Sequence, residues 1–150
     1  MERVSCAVIP GDGIGPEVVS EGLRVLQAAA EIDGGLAFDF TEFPWSCEYY
    51  ARNGEMMPAD GLDTLSSFET IFLGAVGYPG VPDHVSLWGL LIPIRRTFQQ
   101  YVNLRPARLL RGVRSPLSEP GTIDLVVVRE NSEGEYSSMG GRLHAGTPAE

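Results

Sequence analysis

Three arginines and one tyrosine carry most of the chemistry this sequence offers. Arg95 stands in LLIPIRR, Arg105 in NLRPAR, and Arg129 with Tyr136 in VVVRENSEGEY. A guanidinium is a planar fork of donors that grips a carboxylate in a bidentate way. Arg129 closes an apolar run that reads as a strand, where side chains project from the sheet's end into a cleft. Arg105 precedes Pro106, which pushes it out of helical geometry and onto an extended segment. Arg95 falls on the helical stretch before them. Three such groups from three elements can converge on one small dianion. Taken singly, each reads as a surface or ion-paired arginine, and Tyr136 as a packed aromatic with a satisfied hydroxyl.

The elements that must position them follow from apolar spacing. Residues 4–9 form a short strand. A helix over 16–32 puts Val19, Leu23, Leu26 and Ala30 on one buried stripe. Residues 36–43 alternate as a second strand, and weaker helical stretches fall at 48–53 and 61–68. TIFL, residues 70–73, reads as a buried strand that runs into the loop LGAVGYPG. A helix over 88–101 tolerates Pro93 in its first turns. The extended VNLRPARLL comes next, then a Gly/Ser/Pro-rich connection over 112–122. IDLVVV, residues 123–128, reads as the clearest buried strand of all. Strands alternating with helices indicate an α/β protein.

With 43% hydrophobic and 21% charged residues, the 150-residue chain reads as globular and long enough to bury a core. Twenty acidic residues against eleven basic ones give a net charge of −9. So acidic a chain repels phosphate backbones and anionic lipid, which argues against nucleic acid and membrane partners. Cys6 and Cys47 make no zinc or redox spacing, and buried free thiols in a reducing compartment are expected. The N-terminal residues lack a signal peptide's apolar core, and no apolar run approaches the roughly 20 residues of a membrane span. The expected location is cytoplasmic.

PGDGIGPE, residues 10–17, brings three glycines to a helix start and so suggests a phosphate cradle. A dinucleotide fingerprint needs G-x-G-x-x-G, whereas Gly11, Gly13 and Gly15 follow G-x-G-x-G. Pro16 suits the first helical position, where its missing N–H costs nothing. Glu17 sets a carboxylate against the positive helix end and makes it less hospitable to a pyrophosphate. A tight strand-to-helix turn lining a cleft is the better reading.

PGDGIGPEV after a first strand resembles the N-terminal signature of the isocitrate and isopropylmalate dehydrogenase family, metal-dependent β-decarboxylating dehydrogenases. The family pattern is a helix arginine, a second in N-L-R-P ten residues on, a third in V-R-E, and a tyrosine seven residues beyond that. Arg95, Arg105, Arg129 and Tyr136 match it residue by residue. The resemblance implies an isopropylmalate-dehydrogenase-like α/β fold that is not Rossmann. It makes the three arginines substrate clamps and Tyr136 the general acid. It implies NAD as cofactor, with Ile14 and residues Ala75, Val76 and Gly77 of the LGAVGYPG loop lining its nicotinamide side. It also implies Mn2+ or Mg2+, with no metal ligand in this chain, and a homodimer at full length.

Isocitrate enzymes supply a serine and an asparagine ahead of the first arginine. Here Gly89 and Leu91 stand at those spacings, and neither can pair a third carboxylate. LWGLLIPIRRTFQQYVNLRP and RENSEGEYSSMGGR are most similar to the tartrate and D-malate dehydrogenase branch, with isopropylmalate as the alternative substrate. The implied reaction oxidises the C2 hydroxyl of a short 2-hydroxy diacid and releases CO2, after which Tyr136 returns a proton to carbon.

The chain contains no lysine, although the family needs one beside the tyrosine. That lysine, the metal-binding aspartates and the adenosine loop are expected beyond residue 150. Residues 1–100 are then the N-terminal part of a first, cofactor-side domain, and 101–150 the start of a second, substrate and dimerisation domain. The fold is thus expected to be an incomplete N-terminal portion whose C-terminal half is absent. By itself the chain is expected to be inactive. A catalytically dead remnant or a diacid-binding module is the alternative of a different class.

Overall fold

The computed structural model describes residues 1–137 and 139–150. They divide into two compact units, Met1–Ile94 and Arg95–Glu150.

The first unit is built on a parallel sheet of three strands, β1 (Glu2–Gly11), β2 (Leu36–Glu42) and β3 (Thr70–Ala75), in the order β2-β1-β3. Central parallel strands are covered on both faces and read as continuous apolar runs. Cys6, Ala7, Val8 and Ile9 are accordingly buried. β1 is longer than its apolar core because its ladder starts at Glu2↔Leu36 and ends at Gly11↔Ala75. Backbone pairing, not burial, recruits those ends. β3 corrects an expectation. TIFL is only partly buried, with Thr70 and Leu73 exposed, because β3 has β1 as its one neighbour in the sheet.

Helix α1 (Gly15–Asp33) begins with Pro16 in its first turn and stops at Gly34, whose left-handed φ of 71° lets its N–H reach the Ala30 carbonyl at 2.9 Å. Its buried stripe sets Val19 and Leu23 on Cys6 and Val8, flanked by Phe40 and Phe72. α2 (Cys47–Asn53) is capped by Ser46, whose hydroxyl accepts from Tyr49 N–H at 3.0 Å, and ends at Gly54 in the left-handed region. α3 (Gly61–Ser66) precedes β3.

The helix expected over 88–101 is shifted and interrupted. It runs as α4 (Asp83–Ser86), a π-helical turn over Leu87–Leu91, and α5 (Ile92–Thr97). Pro82, with φ fixed near −60°, starts it early, and Gln99, at φ 51°, ends it early. Pro93 has no N–H, and its ring crowds the carbonyl four residues back. The widened turn before it, in which Ile92 N–H reaches Leu87 O, accommodates that conflict. Gly89 lies in this turn, and a Cβ there would meet Met56 Cγ at 2.7 Å. Gly89→Ser is therefore expected to lower stability by about 1–3 kcal/mol through overpacking, read as an earlier denaturation midpoint.

The second unit carries an antiparallel pair, β4 (Val102–Arg108) and β5 (Asp124–Glu130), in register from Val102↔Glu130 to Arg108↔Asp124. A 3-10 turn, Gly134–Tyr136, follows. The run IDLVVV departs most from expectation. It forms the strand, but Leu125, Val126, Val127 and Val128 are 49–67% exposed. Two strands alone cannot bury each other's faces, so apolarity and burial part company here.

Candidate active site

The second unit brings Arg95, Arg129 and Tyr136 together. Arg95, on α5, sets its guanidinium carbon 5.4 Å from the Tyr136 ring centroid. Arg129, on β5, lies 5.5 Å from the same centroid, and its Nη2 donates to the tyrosine Oη. A guanidinium over an aromatic face is held by the ring's quadrupole and keeps its donors available at the edge. Arg95 Nη1 is buried and, among the described residues, has no hydrogen-bond partner. A buried unpaired donor on a cation costs free energy unless an anion meets it. With its oxygen accepting from Arg129, the Tyr136 phenol must direct its own proton elsewhere.

Arg105 is placed differently. The β4–β5 register sets Arg105 opposite Val127 and Asn103 opposite Arg129. Side chains alternate along strands, so Arg105 and Arg129 share one face as diagonal neighbours, about 7–8 Å apart at the backbone. Arg105 is exposed, and among the described residues no hydrogen bond, ion pair or ring contact joins it to the other three. Two of the three arginines thus converge on the tyrosine, and the third stands beside them on the ribbon.

A cavity of about 690 Å³ opens next to this cluster, lined by Arg95, Arg96, Gln99, Tyr101, Glu130 and Glu133 among others. That volume accommodates a small organic acid. Glu130 accepts from Glu133 N–H, Ser132 N–H and Ser132 Oγ at 2.8 Å each, and these bonds hold its carboxyl below the usual carboxylate range. Gln99 is a non-glycine residue in the left-handed region, a conformation that costs about 1–2 kcal/mol and concentrates at functional sites. Sequence reasoning missed Arg96 and Gln99. RRTFQQY offers no signal for either, since one is read as a second surface arginine and the other as an ordinary helix residue.

Charge is unevenly divided. Eight of the eleven arginines but only six of the twenty acidic residues fall in Arg95–Glu150, which gives that unit a net +2 and Met1–Ile94 a net −11. The chain's overall acidity conceals a locally cationic unit around the arginine cluster.

In the first unit, the PGDGIGPE turn packs against the end of β3. A Cβ on Gly11 would sit 2.0 Å from Ala75 O, and one on Gly15 would sit 2.1 Å from Pro10 O, so the two glycines permit backbone to lie on backbone. Asp12, 3% exposed, is the tie that sequence reasoning did not single out. Its carboxylate accepts from Cys47 N–H at 3.0 Å, Glu48 N–H at 3.2 Å and Gly77 N–H at 3.1 Å, and its own N–H donates to Ala75 O at 2.6 Å. One carboxylate thereby caps the start of α2 and pins the Ala75–Gly77 loop. A phosphate would be repelled by that anion. Ile14, 57% exposed, stands two residues on, and a Cβ on Gly77 would meet nothing within 4 Å. Ile14, Ala75, Val76 and Gly77, which the resemblance sets on the nicotinamide side of NAD, thus adjoin the Asp12 tie in sequence or through its bonds.

Both cysteines are free and buried, as expected. Burial, reinforced by the Asp12 carboxylate, pushes the Cys47 thiol up to about 11, so it remains protonated and is no nucleophile at neutral pH. Among the described residues no group of three or more His, Cys, Asp and Glu gathers that could hold a metal ion. No helix among them is long and apolar enough to cross a membrane.

Solved structures share this fold. The isocitrate dehydrogenase of Methylococcus capsulatus superposes with a TM-score of 0.67 at 28% identity, covering 91% of this chain and 37% of that one. A β-decarboxylating dehydrogenase of Thermococcus kodakarensis gives a TM-score of 0.62 at 30% identity, over 87% of this chain and 35% of that one. The isocitrate/isopropylmalate dehydrogenase family model matches residues 5–146, and the chain belongs to that family. Among curated relatives, a probable tartrate dehydrogenase/decarboxylase of Bacillus subtilis is 58% identical over 97% of this chain. The decarboxylating D-malate dehydrogenase of Escherichia coli is 58% identical over 100% of it. A tartrate dehydrogenase/decarboxylase of Pseudomonas putida is 55% identical over 96%. The chain spans 40–42% of the length of these three relatives and corresponds to their N-terminal part.

Proposed function

We propose that this chain is the N-terminal part of a longer, cytoplasmic, NAD- and divalent-metal-dependent enzyme that oxidises and decarboxylates a short 2-hydroxy diacid, D-malate or tartrate. The observation that carries the reading is the convergence of Arg95 and Arg129 on Tyr136, with a buried donor of Arg95 left unpaired. That arrangement suits a dianion held beside a phenol. The relatives' names supply the substrate class.

In this reading the forks of Arg95, Arg105 and Arg129 bind and orient the two carboxylates. The unit's positive charge draws the diacid in, and the clamp excludes water from the reacting carbons. Ile14 and the Ala75–Gly77 loop, steadied by Asp12, present one side of the cofactor site. NAD, when bound, supplies the hydride acceptor. Tyr136 holds a proton at Oη, directed away from Arg129, and delivers it to carbon once CO2 has left. Among the described residues no His, Cys, Asp and Glu side chains gather into a metal centre. Mn2+ or Mg2+ would rest on residues of the longer protein, as would the lysine that works beside the tyrosine. Residues 1–100 would belong to the cofactor-side domain, and 101–150 would begin the substrate and dimerisation domain of a homodimer.

The reading is tested by comparing two preparations supplied with NAD+, Mn2+ and D-malate, tartrate or isopropylmalate. The 150-residue chain is expected to form no NADH. The same chain continued to the length of its relatives is expected to form NADH with D-malate or tartrate in preference to isopropylmalate. Turnover by the short chain, or none by the long one, would overturn the proposal.

A further inference from the structure

Arg96 has no role in the reading above, yet it reaches the same tyrosine as its neighbour. Consecutive residues on a helix point about 100° apart. Arg95 and Arg96 therefore straddle what lies against that side of α5. Arg95 faces the Tyr136 ring, while Arg96 Nη2 donates to the Tyr136 main-chain carbonyl. Both arginines line the cavity.

The segment carrying the tyrosine is otherwise secured by its own short-range bonds. Glu130 takes the N–H groups of Ser132 and Glu133, Tyr136 N–H reaches Glu133 O at 3.3 Å, and Ser137 N–H reaches Gly134 O at 2.9 Å. Gly134, at φ 62°, turns the chain into the 3-10 turn. The nearest ties to a distant element lie at Asn131, whose N–H donates to Tyr101 O at 3.0 Å and whose Nδ2 donates to Gln100 O at 3.2 Å. The Glu130 bonds tie the start of the segment to the adjoining end of β5, whereas the Arg96 bond ties its main chain to an element distant in sequence. A short turn with local bonds alone opens at low free-energy cost. A proton donor in such a turn needs a fixed backbone, because misplacement by about 1 Å can cost a hundredfold in rate.

We propose that Arg96 is a positioning residue: through the Tyr136 carbonyl it holds the 3-10 turn in place and so fixes the phenol that Arg129 engages at its other end. The inference rests on the reading of Tyr136 as proton carrier. Arg95 and Arg129 contact the tyrosine's side chain, whereas Arg96 contacts an atom that every residue at 136 would possess. In the positioning role its effect on turnover passes through the phenol without depending on the phenol for its own bond.

That distinction gives the test, run in the chain at its relatives' length with D-malate, NAD+ and Mn2+. Tyr136→Phe is expected to lower kcat at least about tenfold and to leave KM for the diacid close to unchanged. Arg96→Met is expected to lower kcat about tenfold with KM changed by less than about twofold. Arg96→Lys keeps a donor within reach of the carbonyl and should recover most of the loss. In the Tyr136→Phe background, Arg96→Met should cost less than about a further twofold, since there is no phenolic proton left to misplace. Losses that multiply in the double variant, or a loss of Arg96 that appears in KM, would overturn the positioning role while leaving Tyr136 as proton carrier. Unchanged kcat in Tyr136→Phe alone would overturn both.

Discussion

Replacing Arg129 by alanine is expected to lower kcat/KM for the diacid about a thousandfold in the longer protein, the cost of leaving a buried carboxylate without its partner. The structure adds how the loss divides. Arg129 donates to Tyr136 Oη as well as standing at the end of β5, so its removal frees the phenol and takes one of the three forks from the proposed clamp. Both kcat and KM should suffer. Arg105 shares its face of the ribbon, but among the described residues no hydrogen bond, ion pair or ring contact joins it to Tyr136 or the other arginines. Arg105→Ala should therefore cost about a hundredfold, carried mainly by KM. Steady-state kinetics of the two variants side by side decide the matter. Near-normal turnover by Arg129→Ala would remove the clamp from the mechanism, and identical kcat and KM patterns would remove the division of labour.

The largest effect on stability is expected at Asp12. Asp12→Ala strips an acceptor from three N–H groups at 3.0, 3.1 and 3.2 Å, two at the start of α2 and one in the loop after β3. Hydrogen bonds to a charged group contribute about 1.5–3 kcal/mol each, and the site can relax only in part, so a loss of roughly 3–4 kcal/mol is expected. Asp12→Asn keeps one acceptor oxygen but turns an NH2 toward a donor, and should fall between alanine and the wild type. Denaturant unfolding of the three proteins measures this. A midpoint for Asp12→Ala within error of the wild type would mean that the three bonds contribute nothing net. Because Gly77 is among the three, NAD affinity in the longer protein should weaken along with stability.

The elements of the first unit were legible because each satisfies a local rule. A continuous apolar run marked β1, and a 3.6-residue stripe marked α1. Their contacts were less legible. Asp12 looked like one polar letter among glycines, since nothing in PGDGIGPE reveals that Cys47, Glu48 and Gly77 present their N–H groups to it. The residue pattern of Arg95, Arg105, Arg129 and Tyr136 pointed to a clamp; the structure brings Arg95 and Arg129 to the tyrosine ring and leaves Arg105 one diagonal away. Arg96 escaped notice because its bond is to a main-chain carbonyl, which no residue type announces. IDLVVV misled for a different reason. A valine-rich run reports what a strand is suited to be covered by, and a two-stranded ribbon does not provide the cover. The π-helical turn was hidden too. Pro93 was read as tolerated in the first turns of a continuous helix, but whether the chain kinks, breaks or widens there depends on packing around Gly89 and Met56.

The partition of charge, −11 on one unit and +2 on the other, has a bearing on selectivity. A diffusing anion is turned away from most of this chain and tolerated near the arginines, whatever its identity. Long-range attraction cannot tell malate from phosphate or from a monocarboxylate of similar size. The sorting of one metabolite from another must therefore happen at arrival, where a rigid fork rewards two oxygens set at the right span and an unmatched donor penalises their absence. On the proposed reading, Arg95 Nη1, buried and unpaired among the described residues, is where that inspection would take place.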